Sequence, residues 1–354
     1  MKKYLALVLA MVMSFSLAGC GAKEAPAPAP APAPEQSQPA EPAPEPPKAD
    51  PITIKLAMTM EETNSQCQAV KAMCEKITKE TDGAIQFEYF FNGLLGSQAD
   101  VVEMVNQGAP IITVLSTGYY TDYNADFGII NGPYLYEDWR QELAVAGTDW
   151  YKNITNELAE KSNFRVLTLF YTGTRHLLST KPVDDTGDIS GMKVRFPGDI
   201  VYSELWKSFG GAPVQLAWAE VYQGLSQGVI EAAEAPLSTM WTSSLQEVAK
   251  NLTLTGHIMC ADTICMGEGV WKTIPAEYQD LILDLAYETA YAFGEEQEAG
   301  DADFVQKFKD AGCTVYEVDV EAFKDVAVNM YPNMTNYSDG LYESYKAMVA
   351  ELDY

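Results

Sequence analysis

From Ile52 onward the hydrophobic period alternates between two residues and about 3.6, and few architectures accommodate that alternation. Ile52-Thr-Ile-Lys-Leu-Ala-Met58 predicts a strand. Asn64 to Lys79 predicts a helix, with Ala69, Ala72, Met73 and Ile77 on one face. Asp82-Gly83 is a turn, and Ala84 to Phe90 a second strand. Ser97 caps a helix that runs to Asn106 and stops at Gly108, and Ala109 to Leu115 is a third, apolar strand. Strand-helix-strand-helix-strand implies a parallel sheet covered by helices.

A second alternating unit follows. A long helix is expected from Trp139 to Lys161, then successive strands at Phe164 to Tyr171 and Arg175 to Ser179. Met192 to Phe196 is a strand stopped by Pro197-Gly198, and Ile200 to Phe209 a helix. Pro213 to Leu216 is a short strand, Ala219 to Gln227 a helix ended by Gly228, and Val229 to Glu234 a strand stopped by Pro236. Leu252 to Met266 is β-rich. Pro275 to Lys309 has no proline after its first residue and predicts one long helix, with Gly294 and Gly300 as weak points. Helices near Val320 to Asn329 and Leu341 to Glu351 finish the chain. Two α/β units joined by extended crossing segments imply a ligand cleft between lobes.

The N-terminus carries an address. Lys2 and Lys3 precede a short apolar run, Leu5 to Leu17, which ends in Leu17-Ala-Gly-Cys20. That pattern resembles a bacterial lipobox, so residues 1–19 are expected to be a signal peptide and Cys20 the lipidated residue. Residues 20–50 then form a Pro/Ala-rich linker, too poor in apolar side chains to bury a core. The anchor would hold the protein on the membrane, facing outward.

Composition excludes several functions. The formal net charge of -27 argues against nucleic acid and anionic membrane surfaces as partners. His176 and His257 are the two histidines, and no HExxH, paired CxxC, P-loop or GxSxG stands in the sequence. No metal site, cofactor or catalytic residue is therefore expected. Beyond Cys20 there are five cysteines, an odd number. Cys67 and Cys74 share one face of a helix as buried thiols, and Cys260 with Cys265 is a candidate disulfide. An acidic chain that binds an anion needs a few local cations, so its four arginines, Arg140, Arg165, Arg175 and Arg195, carry information.

Four segments occur in order: Gly173-Thr-Arg-His176, Gly191-Met-Lys-Val-Arg-Phe-Pro197, Ala219-Glu-Val-Tyr-Gln-Gly-Leu-Ser-Gln-Gly228 and Glu231-Ala-Ala-Glu-Ala-Pro-Leu237. Together with Leu95-Gly96 and Pro133-Tyr-Leu-Tyr136 they resemble the solute receptors of TRAP transporters, the DctP-like family, from about Ile52 to the C-terminus. The resemblance implies a two-lobed α/β fold of periplasmic-binding-protein type, with a long helix across both lobes. It implies a receptor that binds a small organic acid and hands it to membrane permease subunits driven by an ion gradient. Lobe I would comprise residues 51–172 plus about 260–300, and lobe II residues 173–259 plus about 301–354. A receptor that presents its ligand to a sensor kinase or chemoreceptor would use the same fold. A lipid-anchored enzyme acting on small acids would need a nucleophile–base pair or a metal site.

The resemblance also assigns residues. Arg195, in the family's K-x-R-x-P motif, would clamp the substrate carboxylate through two parallel N–H donors. Its position at the end of a short strand, beside Pro197 and Gly198, agrees, and the alternative is a structural pairing with a local acid such as Asp199. Arg175 matches a second ligand-side arginine, with pairing to a buried carboxylate as its alternative. Trp218 matches an aromatic that packs on the ligand's carbon skeleton. Glu234 could accept from a ligand hydroxyl or serve the hinge. Ala235 stands where the family often has asparagine, so one hydrogen-bond donor is missing and the ligand is expected to be a monocarboxylate with a bulky or hydroxylated body. Thr117, Tyr119 and Tyr120 could face the cleft, whereas Glu220, Tyr222 and His176 read as capping and packing residues.

Overall fold

The computed structural model describes residues 50–354. Lipidation of Cys20, the signal peptide and the linker lie outside the described residues. The elements, in order, are β1 (Ile52–Ala57), α1 (Ser65–Glu80), β2 (Ile85–Phe90), α2 (Gln98–Asn106), β3 (Ile111–Ser116), α3 (Trp139–Ala144), α4 (Asp149–Ser162) and β4 (Phe164–Ser179). Then come β5 (Lys193–Phe196), α5 (Ile200–Ser208), β6 (Ala212–Gln215), α6 (Val221–Ser226), β7 (Ala232–Pro236), α7 (Leu237–Thr242) and β8 (Asn251–Gly267). The chain ends with α8 (Glu268–Trp271), α9 (Ala276–Asp310), β9 (Thr314–Tyr316), α10 (Val320–Ala327) and α11 (Leu341–Ala350).

The strands form one sheet in the order β2-β1-β3-β8-β4-β7-β5-β6, with β9 beside β8. Strands β2, β1 and β3 are mutually parallel, as the βαβα pattern requires, and so are β7, β5 and β6. The two parallel groups are joined by β4 and β8, which run antiparallel to each other and to their outer neighbours. These are long strands of 16 and 17 residues, about 50 Å each at 3.3 Å per residue. The 35-residue helix α9 is about 50 Å long as well. Its Ile282, Leu285, Ala286, Ala290 and Phe293 join α1 and β1 in one apolar core, and its Phe308 joins α7 and Leu252 in another. The fold is thus the two-lobed α/β arrangement with a helix spanning both lobes.

Local chemistry sets the element boundaries. Ser97 caps α2 reciprocally with Asp100: the Asp100 amide donates to the Ser97 hydroxyl, and the Ser97 amide donates to the Asp100 carboxylate at 2.8 Å. The long helix expected from Trp139 to Lys161 is broken into α3 and α4, because Thr148 starts a new helix by accepting from the Tyr151 amide at 3.1 Å. Gly294 interrupts neither α9 nor its packing; a Cβ there would lie 2.5 Å from the Trp139 ring, so glycine admits the indole. The strands expected at Phe164 to Tyr171 and Arg175 to Ser179 are one strand, β4, whose register shifts at Tyr171/Thr174. Gly173 there has φ +119, and a side chain would meet Pro236 at 2.8 Å. Pairing of β7 begins at Ala232 rather than Val229, since the Val229 and Ile230 amides still close the preceding turn on the Gly224 carbonyl.

All five described cysteines are free and buried, which corrects the expected Cys260–Cys265 disulfide. The two lie five apart on β8, and an odd spacing points them to opposite faces. No helix among the described residues is long and apolar enough to cross a membrane.

Glu142 of α3 is fully buried, with neither carboxyl oxygen in hydrogen-bonding geometry with a described group. Burial drives its pKa well above the ordinary value, so the folded protein holds it protonated. Its folded pKa is raised, so ionisation in the unfolded chain erodes stability as pH rises above about 4.3. Glu142→Gln is therefore expected to melt higher than wild type at pH 8. The gap should close as pH falls to 4, which melting curves across that range measure.

Candidate functional site

A cavity of about 370 Å³ opens between the edges of the two parallel groups. Its walls come from distant parts of the chain: Thr59, Asn64 and Gln66 around the start of α1, Ser116 at the end of β3, Thr172 and Arg175 of β4, and Arg195 of β5. Trp218, Ala235, Asp262 of β8, and Glu296 and Gln297 of α9 also line it. Clefts of this size, mostly neutral with a few directed polar groups, suit a small polar ligand.

Arg195 is placed by strand alternation. Its neighbour Val194 is fully buried in the core, which turns Arg195 to the opposite face. Its Nε donates to the Leu216 carbonyl at 2.9 Å, and its guanidinium lies 5.2 Å from the centre of the Trp218 ring. Trp218 is itself fixed by donation from Nε1 to the Ser243 hydroxyl at 3.1 Å. Arg195 is only 4 % exposed. Arg140 pairs with Asp138 and Glu298, Arg165 with Glu268 and Arg175 with Glu234, but Arg195 forms no ion pair among the described residues. Burial and the nearby Arg175 charge lower its pKa, with Glu234 opposing them, to about 10, so it remains charged at neutral pH.

The alternative partner, Asp199, is not paired with Arg195. One oxygen caps α5 by accepting from the Val201 amide at 2.9 Å; the other is buried without a hydrogen bond. Burial pushes this carboxyl up to about 7. Gly198, beside it, does not line the cavity; its φ of +116 turns the chain from β5 into α5, and a Cβ would meet the Gln215 amide at 2.7 Å.

Arg175 has a carboxylate. Its Nε and Nη2 donate to the two Glu234 oxygens at 2.5 and 2.8 Å, and Nη2 also donates to the Glu234 carbonyl at 2.9 Å. The Tyr202 ring lies under the guanidinium at 5.0 Å. Glu234 is fully buried and also faces His257 Nε2 at 3.3 Å. Burial lowers the His257 pKa, so the ring is neutral: Nε2–H donates to Glu234 and Nδ1 accepts from the Thr255 hydroxyl at 2.7 Å. Burial alone would raise the Glu234 pKa, but Arg175 and His257 hold it at about 2. Glu234 thus stands behind the cavity wall, whereas Ala235, one residue on, forms part of it.

Thr117 and Tyr120 are fully buried rather than facing the cavity. The Asn131 side-chain amide donates to Thr117 at 2.6 Å, and Tyr120 shares a 2.6 Å hydrogen bond with Thr263. Tyr119 is partly buried and also lies outside the cavity lining, which Ser116 reaches instead. His176 accepts from the Gly256 amide at 3.1 Å. Glu220 accepts from the Ala217 amide at 3.3 Å and so closes the short turn before α6 rather than capping α6 itself, while Tyr222 of α6 donates to Glu247 at 3.0 Å. Sequence reasoning missed Gln66, Thr172, Tyr202, Gln297 and Asp262. Only Asp262 left a signal, as an acid inside the apolar run Leu252 to Met266.

A cleft between two α/β groups, floored by crossing strands and holding one guanidinium without an ion pair among the described residues, defines a solute-capturing receptor. The sequence profile of the bacterial extracellular solute-binding proteins, family 7 (DctP), matches residues 56–337, and the chain belongs to that family. It is the extracytoplasmic solute-binding receptor of a TRAP-type transporter, taking up a small organic acid for delivery to the membrane permease. A solute-binding protein of Sulfitobacter sp. strain NAS-14.1 is 30% identical over 258 residues, 72% of this chain and 78% of that protein. Among solved structures, a TRAP periplasmic solute-binding protein of Ochrobacterium anthropi with bound L-fuconate superposes with a TM-score of 0.80 at 28% identity, covering 85% of this chain and all of that one. A second, from Actinobacillus succinogenes 130z with bound L-galactonate, also gives 0.80, at 29% identity and the same coverage.

Proposed function

We propose that the ligand is a hydroxylated monocarboxylate and that Arg195 clamps its carboxylate. The observation that carries this reading is the unpaired, buried Arg195 guanidinium on the cavity wall. A buried cation without an anion is costly, and a bound carboxylate supplies the anion in bidentate geometry. Trp218 offers an apolar face for the ligand's carbon chain. Ala235 supplies volume and no donor, so the ligand body extends into that space. Arg175, fixed by Glu234, holds the adjacent wall and presents its remaining edge. Gly198 sets the turn that follows Arg195. The L-fuconate and L-galactonate carried by the similar structures belong to this ligand class.

The family consists of solute-binding receptors, which supports capture and release of an unchanged acid rather than its conversion. The lobes divide as residues 51–172 with about 260–300, and 173–259 with about 301–354. The molecule is tethered through a lipid on Cys20 and presents the closed receptor to its permease at the outer face of the membrane. A thermal-shift panel of purified protein tests the ligand reading. Hydroxylated monocarboxylates should raise the midpoint, while the corresponding neutral sugars should not. A small C4-dicarboxylate as the tightest ligand, with no larger acid near it, would overturn the reading.

A further inference from the structure

The cavity also holds an unpaired anion. On β8 the side chains at even positions share a face, and Ile264 and Met266 pack there in the core beneath α1 and α9. Asp262 continues that face at the point where the apolar core gives way to the cavity. Its register partners are Ser116 of β3 and Phe170 of β4, so it sits mid-sheet on a crossing strand. The Gln66 side-chain amide donates to Oδ2 at 3.3 Å, and the Cys260 thiol is 4.0 Å from Oδ1. No described lysine or arginine forms an ion pair with it; the nearby Arg175 gives both its salt-bridging donors to Glu234. An acid so placed contributes nothing evident to the fold: it is half-buried, and its contacts are one long hydrogen bond and a distant thiol.

We propose that Asp262, oriented by Gln66, is the specificity-determining residue of the cavity: it accepts a hydrogen bond from a hydroxyl of the ligand body and rejects acids bearing a second carboxylate. This deepens the reading that Arg195 holds the ligand's first carboxylate and rests on it. An ionised carboxylate only accepts hydrogen bonds. A hydroxyl supplies the proton it needs, whereas a second carboxylate supplies none and sets a like charge beside the first. Glu296 of α9, an exposed residue, is another acid in the cavity lining. Burial raises the Asp262 pKa to about 6, still below the pH of the experiment.

The experiment is calorimetry at pH 7.5 with L-galactonate and with galactarate, its counterpart whose terminal CH2OH is a carboxylate. Wild type is expected to prefer the monocarboxylate by about a hundredfold or more. Asp262→Asn keeps the shape but removes the charge, and should compress that preference at least about tenfold, with galactarate gaining and galactonate losing. Its unliganded melting point should equal or exceed that of wild type; if the asparagine variant does not fold, Asp262→Ser makes the same comparison. A wild-type preference left unchanged in the variant overturns the role of Asp262 and leaves the Arg195 reading standing. Wild type binding neither galactonate nor any other hydroxylated monocarboxylate overturns both.

Discussion

Replacing Arg195 with alanine should weaken ligand binding by about 10²–10³-fold and leave the fold intact. Truncating one member of a desolvated, hydrogen-bonded charge pair costs about 2–5 kcal/mol in affinity, and each 1.4 kcal/mol is a factor of about ten. The unliganded protein should tolerate the change, because Arg195 satisfies no described carboxylate and gives up a single hydrogen bond, to the Leu216 carbonyl. At a ligand concentration of about 100 times the wild-type dissociation constant, binding stabilises wild type by about 2.7 kcal/mol, and the variant by about 0.4 kcal/mol or less. A midpoint shift of roughly 5 °C in wild type would then fall below about 1 °C. Arg195→Lys should recover part of the affinity, since an ammonium keeps the charge and loses the planar fork. Thermal shift and calorimetry on the three proteins check this. Equal affinity in wild type and Arg195→Ala would remove Arg195 from the site.

The largest loss of stability is expected from Glu234→Ala. Arg175 would then be a buried cation with its salt-bridging donors unpaired, and breaking such a pair by removing one partner costs about 3–5 kcal/mol. His257 would lose its acceptor at the same time. The sign of the pH dependence follows from the lowered Glu234 pKa of about 2. A depressed carboxylate contributes stability that is present above its unfolded pKa, about 4.3, and is lost as pH falls toward 2. The difference in melting temperature between wild type and Glu234→Ala should therefore be full at pH 6–8 and shrink between about pH 4 and pH 2. Arg175→Met combined with Glu234→Leu should recover much of the loss, because an apolar pair carries no desolvation penalty. Additive losses in that double variant would show that the pair is not the unit that matters.

The two arginines differ in a way that strand chemistry alone does not reveal. Both follow a β period and both stand near a proline, Pro236 across from Arg175 and Pro197 after Arg195. Arg175 finds its carboxylate 59 residues away, because β4 and β7 pair antiparallel and bring Glu234 onto its neighbour strand. Arg195 lies on β5, where its Nε reaches the Leu216 carbonyl just past β6, and the acid of neighbouring β7, Glu234, is already engaged by Arg175. Only the sheet order decides which guanidinium is spent inside the protein and which is left for a ligand.

Much else was local and therefore legible. Caps and turns at Ser97, Gly108, Asp82-Gly83 and Pro275 depend on neighbours in sequence, and the elements they bound stand where expected within a residue or two. The break between α3 and α4 was missed by the expectation of one long helix, although Gly147-Thr148-Asp149 carries the local signal of a stop and a cap. The joining of two expected strands into β4 was not. A glycine with positive φ in a bulge and one in a loop leave the same sequence, and only the pairing with β8 distinguishes them.

By itself, then, the sequence determined the alternating elements, the parallel βα units and the arginine motif, because each follows from periodicity, backbone stereochemistry or a contiguous set of residues. The tertiary structure alone decided the pairing of Arg175 with Glu234, the isolation of Arg195, and the arrival of Gln66 and Asp262 in one cavity across 196 residues. Those are relations between strands and helices far apart in the chain. Their free energies depend on desolvation and distance, which exist only once the sheet has assembled.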